Sequence, residues 1–318
     1  MMAGSNPLGH GRIAKADSAA IAEAVERLRA GEVVAIPTET VYGLAADASS
    51  AEAVANIYRT KGRPDFNPLI VHVTDHAAAE RLAQFDERAA MLAFRFWPGP
   101  LTLVLPLQPG APVAKAVTAG LPTIALRCPA HPVMQAVLKQ SGLFLAAPSA
   151  NRSGSISPTR AEHVARSFGE AMPLVLDAGP CSAGLESTIV AVRDNGWQLL
   201  RPGPVTVADI EQLLGEPPLP VVEAKIEAPG QLASHYAPSK PVRLNAATAQ
   251  PGEWHIGFGS ITGDDSLSVD GDLAEAAARL FDALHIADAS NRASIAIAPI
   301  PDKDIGAAIN DRLRRAAA

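Results

Sequence analysis

Apolar residues first recur at helical spacing over residues 18–29, where Ala19, Ile21, Ala22, Val25 and Leu28 share a face. Asp17 or Ser18 can cap this helix and Gly31 stands just past its end. The run at 33–36 reads as a strand that Pro37 stops, because proline cannot donate to a ladder. The polar turn TETVYG follows. A second helix, 50–60, turns Ala53, Val54 and Ile57 inward and delivers Lys61-Gly62-Arg63-Pro64 at its end. Residues 69–73 read as a strand, and 77–96 as one helix with Leu82, Met91 and Leu92 inward. The turn Trp97-Pro98-Gly99-Pro100 precedes a strand at 101–105, and further strands are expected at 123–127, 144–147, 174–176 and 187–192, with a helix at 132–140. The Gly-rich, polar residues 1–16 are expected to fray.

Strands alternating with helices predict an α/β fold with a mixed sheet, with polar loops at strand ends, where such sheets place their sites. From about 205 to 240 the pattern gives way to PPLP, EAPGQ and HYAPSKP, a semi-extended linker composition. Strands at 242–244, 254–258 and 295–300 and helices at 273–286 and 305–315 then predict a small second α/β domain. The expected division is 1–205, a linker or lid at 206–240, and 241–318.

A length of 318 residues exceeds what one core usually fills, which agrees with two domains. Aromatic residues are 4% of the chain, too few for a platform of stacked bases. Cys128 and Cys181 lie far apart and form no CxxC, so neither a disulfide framework nor a zinc ligand set is expected, nor any other metal-ligating group. This favours a reducing, cytoplasmic setting. No run resembles a signal peptide or reaches the roughly 18 apolar residues needed to span a bilayer, so no membrane partner is expected. Residues 1–205 carry 18 Lys and Arg against 17 Asp and Glu, while the remainder carry 9 against 16, so the overall charge of -6 belongs to the back of the chain. A near-neutral front with clustered bases suits a small anionic ligand better than a long nucleic-acid backbone.

The chemistry concentrates in three places. Lys61, Arg63 and Asn67 beside a Gly-Pro bend can surround phosphate oxygens, though a solvated helix end has the same composition. The loop APSANRSGSISPT, 147–159, offers hydroxyls and amides to a phosphate without the GxxxxGK[ST] pattern of a P-loop; a Ser-rich turn is the alternative. Thr40, His72, Arg127 and Ser187 stand singly at strand ends, and a buried Arg127 there wants a carboxylate or phosphate. Glu39 and Glu186 could suggest paired acids, but nothing in the sequence sets them face to face, and Ser149 lacks the GxSxG elbow of a hydrolase nucleophile. The residues alone reach an anion-binding α/β enzyme and no particular reaction.

Together, PTETVYGLAADA, KGRPDFNPLIVHV, FWPGPLTLVL, LPTIALRCP, AAPSANRSGSISPT, LDAGPCSAGLESTIV and LLRPGPV resemble the YrdC-type threonylcarbamoyl-AMP synthase family over roughly residues 18–205. PGQLASHYAPSKPV and IGAAINDRLRRA resemble its longer, two-domain form. The resemblance implies a twisted mixed-sheet catalytic domain with a concave positive groove and a smaller Rossmann-like domain. It implies that L-threonine, bicarbonate and ATP are joined into L-threonylcarbamoyladenylate with release of pyrophosphate, for threonylcarbamoyladenosine in tRNA next to the anticodon. A separate tRNA threonylcarbamoyl transferase would receive the adenylate, and weak tRNA binding is left open. By the same resemblance Thr40, His72, Arg127, Ala147 and Ser187 hold L-threonine. Arg63, Asn67, Thr123, Ser149, Ser157 and Arg201 surround ATP with Lys61 beside them, and either His235 or Tyr236 closes over the nucleotide. Lys61 and Arg63 would stabilise the triphosphate during reaction, and Mg²⁺ would bridge its phosphates.

Overall fold

The computed structural model describes residues 11–220, 227–229 and 236–318. Ten strands form one mixed sheet: β1 (Ile13–Lys15), β2 (Val34–Ile36), β3 (Gly43–Asp47), β4 (Ile70–His72), β5 (Leu101–Pro106), β6 (Thr123–Arg127), β7 (Leu145–Ala146), β8 (Leu174–Asp177), β9 (Thr188–Arg193) and β10 (Gly196–Arg201). Their spatial order is β1-β8-β2-β3-β7-β4-β6-β5-β9-β10. Among the described residues seven α-helices pack around it: α1 (Ser18–Arg29), α2 (Ala51–Lys61), α3 (His76–Glu80), α4 (Glu87–Phe96), α5 (Pro132–Ser141), α6 (Ala161–Phe168) and α7 (Val207–Leu214).

Local chemistry sets the helix ends. The Asp17 carboxylate accepts from the backbone of Ala19 and Ala20 at the start of α1, and Ser50 caps α2. Gly62 ends α2 in the left-handed region, φ 60°, which turns the chain towards Arg63. The expected single helix over 77–96 is two. The amide of Gln84 bonds to Pro106 at the end of β5, and Asp86 caps a fresh helix through Ala89. Leu82 and Leu92 are buried as expected, whereas Met91 is 38% exposed. At the front, Ile13–Lys15 is no frayed end but an edge strand parallel to β8. The Pro-rich stretch after 205 opens with α7, held by a reciprocal capping box of Thr206 and Asp209.

Strand alternation divides the sheet's faces. Val71, Leu126 and Ala146 point into the main core beneath α2, α4 and α6. Leu145, Ala147, Val34 and Ile36 point the other way, under α1 and α5. Pairing of Val71 with Ala146 puts Ile70 and His72 on that second face too, beyond the reach of the two helices. There Ile70, Val104, Ala125, Ile189 and Ala191 make an apolar floor, covered by Ala228 of the linker.

The second unit is a parallel sheet of β11 (Val242–Arg243), β12 (Glu253–Gly257), β13 (Asp265–Ser266) and β14 (Ser294–Ile297), ordered β11-β14-β12-β13, with α8 (Leu273–Ala289) and α9 (Ile305–Ala316). Its core is not its own. Val41, Ile156 and Leu185 of the first unit and Tyr236 of the linker are buried among its apolar residues. Arg160 pairs with Asp282 at 2.9 Å, and His163 stacks on His285 with ring centres 3.8 Å apart. Among the described residues no helix is long and apolar enough to cross a membrane.

Candidate active site

The half-face left open by α1 and α5 holds a cavity of about 50 Å³, roofed by Pro229 and Tyr236. Parallel pairing of β4 with β6 sets His72 directly beside Arg127, so two strand ends deliver their polar residues to one spot. Thr40, His72, Arg127, Ala147 and Ser187 all line the cavity. So do Arg63, Ser149, Arg201 and Tyr236.

Arg127 is the centre of the first group. Its Nη1 donates to Thr40 Oγ1 at 2.8 Å, its Nε to Gly99 O at 3.3 Å, and its Nη2 meets Glu39 at 2.7 Å. The hydroxyl protons near it can be assigned. Thr38 gives its proton to Val41 O at 2.6 Å, so Thr40 must donate to Thr38 across their 2.8 Å contact and is left as an acceptor towards Arg127. Burial raises the Glu39 pKa, but the charge and hydrogen bonding of Arg127 outweigh it and hold the carboxyl below its usual range. His72 goes the other way. Burial first, and the Arg127 charge second, push its imidazole down to about 3, so it is neutral at physiological pH. Its Nδ1 has no well-formed hydrogen bond among the described residues.

A second group forms around Arg201. Its Nη2 donates to Ser187 O at 2.9 Å and to Ser187 Oγ at 3.2 Å, and Nη1 to Pro229 O at 3.4 Å. Ser187 Oγ also lies 2.7 Å from Thr102 Oγ1. Gly203 lets this hairpin lie so close: a Cβ there would stand 2.4 Å from the Thr188 nitrogen. Arg63 donates to Pro68 O at 3.1 Å, and burial brings its pKa down to about 10, still cationic at neutral pH.

Four expected residues stand off the cavity wall. Lys61 is 2% exposed and gives its ammonium to the carbonyls of Ser149 and Asn151, fastening the Ser149 loop to the end of α2. Its pKa is well below the ordinary value, by burial and then by Arg63. Ser157 is fully buried and donates to Glu186. Thr123 is on the cavity face but at the far end of β6, four residues and roughly 13 Å from Arg127 at about 3.3 Å per residue. Asn67 is buried next to Arg63, which donates to its carbonyl at 3.4 Å, and its Oδ1 has no partner among the described residues. His235 lies outside the described residues; Tyr236, the alternative, is in the roof.

Sequence reasoning did not place Glu186 or Arg312. Glu186 lines the cavity and is bonded by Ser157 and, at 2.8 Å, by Arg312. Its position immediately before Ser187 was the available signal. Arg312 had none, sitting in an RLRR run that reads as a solvated helix end.

An open half-face of an α/β sheet, with three arginines and a ring of hydroxyls around one cavity, suits small anionic ligands. The comparisons narrow the class. Residues 26–203 match the Sua5/YciO/YrdC family profile, described as "Telomere recombination", and residues 205–318 match "Threonylcarbamoyl-AMP synthase, C-terminal domain". Threonylcarbamoyl-AMP synthase of Bacillus subtilis (strain 168) is 41% identical, covering 93% of this chain and 92% of that protein. The synthase of Pyrococcus abyssi is 39% identical over 91% of both. A solved structure, "Crystal structure of P. abyssi Sua5 complexed with L-threonine", superposes with a TM-score of 0.87 at 36% identity and covers 97% of each chain. The chain belongs to the two-domain Sua5 branch of the threonylcarbamoyl-AMP synthase family.

Proposed function

We infer that this protein is a threonylcarbamoyl-AMP synthase: it joins L-threonine, bicarbonate and ATP into L-threonylcarbamoyladenylate and releases pyrophosphate. What carries this assignment is the meeting of Arg127, Thr40, His72 and Ser187 in one cavity, in a chain similar along its length to synthases. The adenylate serves threonylcarbamoyladenosine formation next to the anticodon of tRNA, through a transferase that accepts it.

The threonine carboxylate docks on the Arg127 side, a reading supported by the 2.7 Å ion pair that the guanidinium makes with Glu39. Neutral His72 accepts a hydrogen bond from the amine, and Ala147 flanks the side chain. The amine adds to the carbon of bicarbonate with loss of water, giving a carbamate. A carbamate oxygen then forms a bond to the α-phosphorus as the bond to the bridging oxygen breaks and pyrophosphate leaves. No covalent enzyme intermediate is needed, so positioning and charge stabilisation supply the rate. Arg63 and Arg201 face the phosphates with Ser149. Asn67 and Thr123 extend the groove along the sheet, while Lys61 and Ser157 act by holding the Ser149 loop and Glu186.

A cavity of about 50 Å³ is far below the roughly 300–1,000 Å³ of an ordinary ligand pocket. The tight fit supports reading Pro229 and Tyr236 as a roof that lifts for ATP and closes again over it. Magnesium has no ready protein cage among the described residues. Among the described residues no cluster of three or more His, Cys, Asp or Glu could hold a metal, and Glu186 is already bonded to Ser157 and Arg312. The ion would come with the triphosphate, neutralising its charge.

The test is pyrophosphate release from ATP by the purified protein, with the adenylate identified by mass spectrometry. Release that requires both threonine and bicarbonate is expected. Release indifferent to either, or none with all substrates and magnesium present, would overturn the assignment.

A further inference from the structure

One side chain of the small domain, Arg312, touches both the cavity's wall and its roof. Arg312, on α9, is fully buried. Its Nε donates to Glu186 Oε2 at 2.8 Å, and its Nη1 to Asp311 Oδ2 at 2.7 Å. Its Cζ lies 5.2 Å from the centre of the Tyr236 ring. Glu186 and Tyr236 both line the cavity.

Stability alone does not call for this arrangement. Burying a guanidinium and a carboxylate is expensive, and packing the same volume with apolar groups is often neutral or stabilising. Leu313 and Ile309 of the same helix already fill the core in that way. The charge matters because of what Glu186 would otherwise do. It is a buried carboxylate at the wall of the proposed phosphate site, and the Arg201 cation interacts with it electrostatically. Arg201 itself hydrogen-bonds Ser187 and Pro229, and Tyr236 of the roof as well. Arg312 from behind, with Ser157 on the other oxygen, occupies the carboxylate.

We propose that Arg312 is a positioning residue for the nucleotide: it retains Glu186 in the wall and braces the Tyr236 ring in the roof, so that the carboxylate does not set itself against the phosphates beside the Arg201 cation. This rests on the assignment of the cavity as the threonine and ATP site. Without Arg312 the carboxylate would compete for Arg201 and repel the triphosphate.

The experiment compares Arg312→Met, Arg312→Lys and the double variant Arg312→Met/Glu186→Gln with the parent. KM for ATP and kcat are read from pyrophosphate release, threonine affinity from calorimetry without nucleotide, and stability from melting. Arg312→Met should raise KM for ATP tenfold or more, with threonine affinity within threefold of the parent. Arg312→Lys should recover part of the loss, since it keeps the charge without the fork. Adding Glu186→Gln should also recover part, because the stray carboxylate is gone. A residue that only packs the domain would lower melting temperature and active fraction and leave KM unmoved. Should Arg312→Met not fold, the lysine and double variants carry the comparison. A parental KM for ATP in the variants that fold, or a rise that Glu186→Gln does not relieve, overturns the proposal. Arg127→Ala serves as control: if it too leaves threonine affinity unchanged, the site assignment fails; if it weakens binding, only the role of Arg312 does.

Discussion

Arg127→Ala tests the threonine side most directly. In the parent Arg127 is 4% exposed and its guanidinium is held by Gly99 O, Thr40 Oγ1 and Glu39. The substitution removes the cation proposed to receive the substrate carboxylate. Truncating one partner of a buried, hydrogen-bonded charge pair costs about 2 to 5 kcal/mol. At about 1.4 kcal/mol per tenfold, the threonine dissociation constant should rise by roughly 25-fold to several thousand-fold. Titration calorimetry with L-threonine alone reads this, and a value within threefold of the parent would refute the pairing. The same variant carries a second signature. In the parent, Arg127 holds the Glu39 pKa below its unfolded value, so the pair's stabilisation is present above that value and fades as pH falls through the folded one. In the variant, burial acts on Glu39 without its counter-charge and raises the pKa. The sign reverses, and stability is lost as pH rises through the carboxylate range. The melting-temperature deficit of Arg127→Ala should therefore widen from pH 4 to pH 7. A deficit that stays constant would mean that Glu39 does not depend on Arg127.

Lys61→Met would strip two carbonyls of their buried donor at about 1–3 kcal/mol for each unsatisfied group. We expect a melting temperature lower by several degrees and a KM for ATP raised severalfold, with calorimetric threonine affinity unchanged; parental melting would show that the Ser149 loop is held by other means. His72, at about 3, stays neutral across the physiological range, and its depressed pKa costs the fold stability only as pH drops from the ordinary value of 6.5 towards 3. Threonine affinity at pH 6, 7 and 8 should accordingly differ by less than twofold, and a tenfold change centred near 6.5 would show that this imidazole titrates in the site.

His72 and Arg127 were legible because each ends an apolar run, and β pairing brings strand ends together. The same logic could say nothing of partners. Lys61 stood out by its charge, yet the carbonyls it holds belong to a loop 88 residues away. Strand β3 escaped notice because GLAAD offers small side chains of weak strand preference, and its burial comes from neighbours on both faces. Strand β1 is three residues long and is specified by β8, more than 150 positions on. The break in the helix at 77–96 had a visible sign in Asp86, a natural cap, which helical periodicity masked. Arg312 marks the limit of such inference, since its role depends on a contact spanning 126 positions between separate domains.

Val41 follows Thr40 directly in the chain and is buried in the core of the small domain, as are Ile156 and Leu185. The boundary between the domains is therefore a seam of common interior. A cleavage or deletion removing residues 241–318 would not set free an intact catalytic half. It would strip the apolar backing from Val41 and Leu185, so the loops bearing Thr40 and Ser187 would lose their anchor. Truncation would thus reach amino-acid binding from a distance, and the two halves should melt as one cooperative body.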